Sequence, residues 1–307
     1  MRLSAALIVT AVTLVLVGCS GGREGTLTGA EESPAAPPGE SLEALWREGT
    51  ESVGAIAGTS DHGVGRNRVS FLIADRDGDL VERPTAKVWL ARTRTGKPFA
   101  TATATLQRVG VPGGEEADAE HLYAMTVDAP SPGRLWYVAE PSGGRAVRAL
   151  GVVEVKQDAA APRPGDTAVD VDTPTLTSTG GDLSALTTAR VPDAALYRTS
   201  VAQALAAEEP FVLVFATPQF CQTRVCGPVV DVVSAARRRL AASDVRFIHV
   251  EIYEDNLPGN GVNRWVKAWR LPTEPYTFVV DRSGTVRATF EGAFSVEELV
   301  AAARRVA

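Results

Sequence analysis

A short apolar run, Phe211 to Phe215, leads through Ala216-Thr-Pro-Gln-Phe220 to Cys221; Cys226 follows five positions later, and a helical pattern opens near Pro228. No other stretch narrows the folding choices of this chain as much. A strand that hands cysteines to a helix N-terminus makes a reactive thiol, because free N–H groups and the helix dipole stabilise the thiolate. The same two residues could also close a disulfide that only staples its own loop. So short a loop restricts the unfolded chain by about 2 kcal/mol, against about 5 for a loop of roughly a hundred residues. As a staple it is a modest one.

The start of the chain sets the compartment. Met1-Arg2 precedes an apolar run from Leu3 to Val17 that ends in Leu16-Val-Gly-Cys19. A basic start, a short apolar core and a small-residue processing site describe a secretory signal, and about 15 apolar residues fall short of the roughly 20 that span a bilayer. Leu-Val-Gly-Cys resembles the bacterial lipobox, which implies that Cys19 becomes the lipidated first residue of the mature protein. The chain has 3 cysteines. With Cys19 carrying lipid, Cys221 and Cys226 are left as each other's partner in a compartment that permits disulfides. The expected location is the extracytoplasmic face of a bacterial cell membrane, held there by the lipid. A net charge of −6 with no basic stripe argues against nucleic acid as a partner.

At 307 residues, 45% hydrophobic and 22% charged, the chain has globular composition and room for more than one core. Residues 1–19 read as the signal, and 20–48, rich in Gly, Glu, Ser, Ala and Pro, as a flexible tether in which Ser41 to Glu48 suggests a short helical turn. In residues 49–157, Val69, Phe71 and Ile73 alternate with Ser70 and Leu72, and the short runs Lys87–Ala91, Leu122–Val127, Leu135–Ala139 and Val147–Val155 follow, with Gly, Pro and Asp between. Short strands spaced by turn signals suggest a β-sandwich. Asn67-Arg-Val-Ser-Phe71 and Ala129-Pro-Ser-Pro-Gly-Arg-Leu-Trp136 resemble immunoglobulin-like extracellular modules, though without their paired cysteines. Asp75, Asp77 and Asp79 invite a calcium reading, but Gly78 and Ala86 stand at the wrong positions for an EF-hand loop, so a hairpin turn is expected. His62 and His121 read as ordinary surface or turn residues.

Residues 158–185 form a linker and N-terminal extension, and 186–307 a second domain. There a helix capped by Ser200 precedes the Phe211–Phe215 strand. A helix from Pro228 to Ala242, a strand over Val245–Ile252, a helix over Val262–Leu271, two strands at Tyr276–Val280 and Val286–Phe290, and a last helix opened by the capping box Ser295-Val-Glu-Glu298 follow.

This order, the cysteine segment and Thr273-Glu-Pro-Tyr-Thr-Phe-Val-Val-Asp281 together resemble the thioredoxin-like superfamily, closest to TlpA-like, membrane-tethered bacterial members. The resemblance implies an α/β thioredoxin-like fold behind an all-β immunoglobulin-like sandwich. It also implies a cis-proline at Pro275 facing the site, and thiol–disulfide exchange through Cys221 and Cys226 with thiols and disulfides of exported proteins, without a cofactor. The motif departs from Cys-x-x-Cys, and two registers fit. In one, Cys221 is the nucleophile, with Arg224 nearby to favour its thiolate; in the other, Cys226-Gly-Pro-Val229 overlays the family's Cys-Gly-Pro-Cys. The family's buried acid before the motif is missing from Val-Leu-Val-Phe, and Glu274 stands where a small or apolar residue is common. Two alternatives remain: a non-catalytic binding protein with a structural disulfide, and a copper-handling chaperone of Sco type using both cysteines and His249.

Overall fold

Short apolar-rich runs punctuated by Gly, Pro and Asp fill the first half of the chain, and each run becomes a strand. The computed structural model describes residues 40–49, 53–221 and 226–307, all within one compact unit. Helix α1 (Leu42–Arg47) comes first, its N-terminus capped by the Ser41 hydroxyl, which accepts from the Ala44 N–H. Eight strands follow: β1 (Gly54–Ala57), β2 (His62–Gly63), β3 (Gly65–Ala74), β4 (Thr85–Ala91), β5 (Ala100–Arg108), β6 (His121–Ala129), β7 (Gly133–Pro141) and β8 (Ala149–Lys156). They lie in the order β1-β3-β6-β5-β4-β7-β8-β2. A parallel pairing of Gly54 with Leu150 joins β1 to β8 and closes seven of them into a barrel, with β2 lying outside the ring along β8. Every second side chain points inward. Phe71 sits at the centre, its ring 5.5 Å from Tyr123 and 5.2 Å from Tyr137, among Val69, Ile73, Val88, Leu90, Met125 and Leu135.

The remaining chain builds a four-stranded sheet covered on both faces. Its elements are α2 (Val201–Ala206), β9 (Phe211–Phe215), α3 (Cys226–Arg239), β10 (Arg246–Val250), α4 (Arg264–Ala268), β11 (Tyr276–Val280), β12 (Val286–Glu291) and α5 (Val296–Ala303). The order is β10-β9-β11-β12, with β9 and β10 parallel and the other pairs antiparallel. Both faces of β9 are buried, as its unbroken apolar run requires. Val212 and Val214 meet Val229, Val233 and Leu299 of α3 and α5, whereas Phe211, Leu213 and Phe215 meet Val201, Val266 and Trp269 on the other side.

The barrel and this sheet share a core. Val109, Leu122 and Ala124 pack into the cluster formed by α3 and α5. Arg68 binds Glu298 with two hydrogen bonds, at 2.9 and 3.0 Å, and lies over the Phe290 ring. Ser295 donates to Gln107 at 2.7 Å.

The expected class is overturned. An immunoglobulin-like sandwich needs two sheets packed face to face, and here the first sheet closes on itself instead. Closure depends on β1 and β5, which large apolar residues do not announce; β5 alternates only Ala and Thr over most of its length. Nor is the rest the helix-rich α/β thioredoxin-like fold. The described chain is mostly β, and its five α-helices run from 5 to 14 residues. Left-handed residues stop two of them early, Glu208 just past α2 and Arg270 just past α4.

Candidate functional site

Cys221 and Cys226 are joined as a disulfide, with their Cα atoms 5.9 Å apart. Strand β9 runs into Ala216-Thr217-Pro218 and then Cys221, while Cys226 is the first residue of α3. Residues 222–225, and with them Arg224, lie outside the described residues. The two cysteines differ in burial. Cys226 is fully buried against the sheet, and Cys221 is partly exposed.

The segment before Cys221 is held from below by β10 and the chain beyond it. His249 is fully buried; one ring nitrogen lies 3.0 Å from the Ala216 carbonyl oxygen and the other 2.6 Å from the Tyr197 hydroxyl. Burial holds its pKa below the usual histidine range. The neutral ring therefore gives its Nε2 proton to Ala216 and takes one from Tyr197. Glu251 accepts from both the N–H and the hydroxyl of Thr188, at 2.5 and 2.8 Å, and Thr188 in turn takes the Gln219 N–H at 3.1 Å. His249 and Glu251 thus fix the backbone that carries Cys221.

The facing wall is the Thr273-Glu274-Pro275 loop. The Glu274–Pro275 peptide bond is cis, at the residue for which the family resemblance implied it. Glu274, a departure from that resemblance, proves to be the closest acidic neighbour the described residues give the sulfurs: its carboxylate and both Sγ atoms lie within 4.8 Å of one another. Its Oε2 is buried without a hydrogen-bond partner, and so is Oε2 of Glu251. Burial, with the charge of Glu251 added, pushes the Glu274 carboxyl up to about 7.

The barrel reaches this site from two directions. Glu291 at the end of β12 accepts from Thr273 at 2.9 Å, and from the backbone and hydroxyl of Ser60 at 2.8 and 2.7 Å. A cavity of about 340 Å³ lies beside this seam, with Phe71, Leu72, Val109, Leu122 and Ala293 inside and Thr273 and Glu274 at its edge. From the other direction, the β5–β6 loop covers the start of α3. The Glu115 N–H donates to Asp231 at 2.7 Å, and the Glu115 carboxyl lies directly against Gly227, where a Cβ would collide with it.

Of the other candidates, Cys19 lies outside the described residues. Asp75 caps its own turn, its carboxylate accepting from the N–H groups of Asp77 and Asp79, both at 2.9 Å, in the expected hairpin manner. His121 faces Glu82 at 3.1 Å. His62 differs from expectation: it is buried, beside the Thr59 hydroxyl at 3.0 Å. His249, with both nitrogens engaged, does not belong to the ligand group around the sulfurs. Tyr197, Thr188 and Glu251 carried no signal in the sequence. Among the described residues no helix is long and apolar enough to cross a membrane. Comparison with protein-family models and with curated proteins finds no match to this chain.

Proposed function

We propose that this protein exchanges disulfides with the cysteines of other exported proteins through Cys221 and Cys226, from a lipid anchor at Cys19 on the extracytoplasmic face of a bacterial membrane. The observation that carries the reading is the asymmetry of the pair: a partly exposed cysteine bonded to a buried one at the first residue of a 14-residue helix. An incoming substrate thiolate reaches Cys221, the accessible sulfur. The bond to Cys226 breaks, and Cys226 leaves as a thiolate favoured by the helix N-terminus. A second substrate thiolate then attacks the mixed disulfide, so that two electrons pass to the protein and the substrate leaves oxidised. Run backwards, with Cys221 attacking a substrate disulfide and Cys226 resolving, the same steps reduce the substrate. Pro275 shapes the groove beside the sulfurs, and the barrel recognises or positions the partner. The proposed kinship with membrane-tethered thioredoxin-superfamily proteins rests on the cysteine segment and on Thr273–Asp281, not on the fold class.

Equilibrating the mature protein with glutathione buffers, and counting free thiols by alkylation and mass, tests this. A potential within about −120 to −270 mV supports exchange, whereas one below about −300 mV marks a structural bridge and leaves a non-catalytic binding protein.

A further inference from the structure

We propose that, once its disulfide is reduced, this protein holds one Zn2+ ion between Cys221 Sγ, Cys226 Sγ and the Glu274 carboxylate. The inference rests on the reading that the Cys221–Cys226 bond opens, and adds a ligand to the open form.

Geometry comes first. Tetrahedral Zn2+ with sulfur at about 2.3 Å and carboxylate oxygen at about 2.0–2.2 Å needs ligand atoms some 3.5–4 Å apart. The three ligand atoms already lie within 4.8 Å of one another, supplied by two elements, the start of α3 and the loop before β11, and by the segment after β9. Little adjustment is needed. Charge is the second argument. Glu274 Oε2 is buried and unpartnered. Reduction adds up to two thiolates beside this carboxylate. Buried like charges are costly unless something opposite joins them, and a divalent cation does so.

The donor set chooses among metals. Two thiolates with one carboxylate suit Zn2+; oxygen-only cages suit Ca2+ and Mg2+, and softer sets suit Cu(I). His249 offers no fourth ligand, since Tyr197 and Ala216 hold both of its nitrogens. Three protein ligands leave one tetrahedral position for water or an incoming group.

The site is gated by oxidation state. A dithiol or phosphine reductant delivers two electrons to the disulfide, giving two thiols. Zn2+ binding then releases their two protons; a substrate disulfide that takes two electrons from the pair, and leaves as two thiols after protonation, re-forms the Cys221–Cys226 bond and ejects the metal.

The test uses the whole mature chain, reduced with a phosphine, freed of reductant without oxygen, and titrated with Zn2+ against a chromophoric chelator. Co2+ in its place reads the geometry through sulfur-to-metal charge-transfer bands and intense visible d–d bands. One equivalent is expected to bind the reduced protein and none the oxidised protein, with Glu274→Gln and Glu274→Ala each weakening binding at least about 10-fold. Equal binding by the Glu274 variants would mean that the dithiol alone chelates the ion, and overturns the proposal. So does equal binding by the oxidised form, or no binding by the reduced one. A structural-range potential together with Glu274-dependent Zn2+ binding would sink only the exchange reading; an oxidoreductase potential without Zn2+ binding would sink only this one.

Discussion

Asp61 and Glu274 are both acids drawn out of water near the seam between barrel and sheet, and the chain treats them in opposite ways. The Asp61 side chain is only 1% exposed, yet its oxygens take the N–H groups of Ala160 and Ala161, both at 2.9 Å, and Lys156 at 3.0 Å. Burial alone would raise its pKa; these donors outweigh burial and leave it lowered. Glu274 has an Oε2 with no partner, and its pKa rises to about 7. Asp61 is spent on holding the backbone that follows β8. Glu274 keeps its bonding capacity unused within 4.8 Å of two sulfurs. A carboxylate whose desolvation is offset by the fold is structural, and one whose desolvation is not offset is available for chemistry.

The largest effect expected from this contrast is on stability. Asp61→Ala strands two backbone N–H groups and should cost about 3 kcal/mol in urea denaturation, whereas Glu274→Gln should stay within about 0.5 kcal/mol of the parent or gain. Equal losses would break the comparison. Next comes the seam itself: Arg68→Met leaves Glu298 without its partner in a site where the two side chains are 14% and 21% exposed, and should cost about 2 kcal/mol by the same assay. A near-neutral result would mean that the apolar contacts alone join barrel and sheet.

pH then separates the two regions. Asp61 has its folded pKa below 3.8, so the stability it contributes is fully present above 3.8 and is lost as pH falls from there through the lower folded value. His249, under the cysteines, has its folded pKa depressed below 6.5 by burial. The unfolded chain gains a proton there that the folded one refuses, so stability drops as pH falls below about 6.5, by at most about 1.4 kcal/mol per unit. The Glu274 carboxyl, raised to about 7, acts in the opposite sense and adds stability as pH falls through that value. The His249 limb is therefore read in Glu274→Gln: urea midpoints from pH 8 downward should show it there and equally when Asp61→Asn is added, and its loss in the double variant would show that the two regions are not independent. The smallest change expected is at Gly227. Alanine there must displace the Glu115 carboxyl, the flexible end of a side chain, at about 1 kcal/mol. No change at all would mean that the β5–β6 loop rests only loosely on α3.

Much of the chain could be read from its residues. β3, β4, β6, β7 and β8 announce themselves by large apolar and aromatic side chains between turn residues, and β9 by an unbroken apolar run. Ser200 and Ser295 cap α2 and α5 with the capping boxes their neighbours suggest. β1 and β5 were hidden because their side chains are small or half-exposed, and without them a closing sheet looks like two layers. At the site, Cys221, Cys226 and Pro275 were visible as types at a spacing. Glu274 was visible only as an oddity, since its worth depends on what faces it.

Residue order alone therefore determined most of the local elements and the cysteine pair at a strand-to-helix junction. Tertiary structure alone decided three things: that the first sheet closes into a barrel, that Cys226 is buried while Cys221 is partly exposed, and that the Glu274 carboxylate lies beside both sulfurs. The reason is physical. Propensity, capping and alternation act between residues a few positions apart, whereas sheet closure, burial and the loss of hydration around a carboxylate depend on groups brought together from Gly54 to Leu150, and from Cys221 to Glu274.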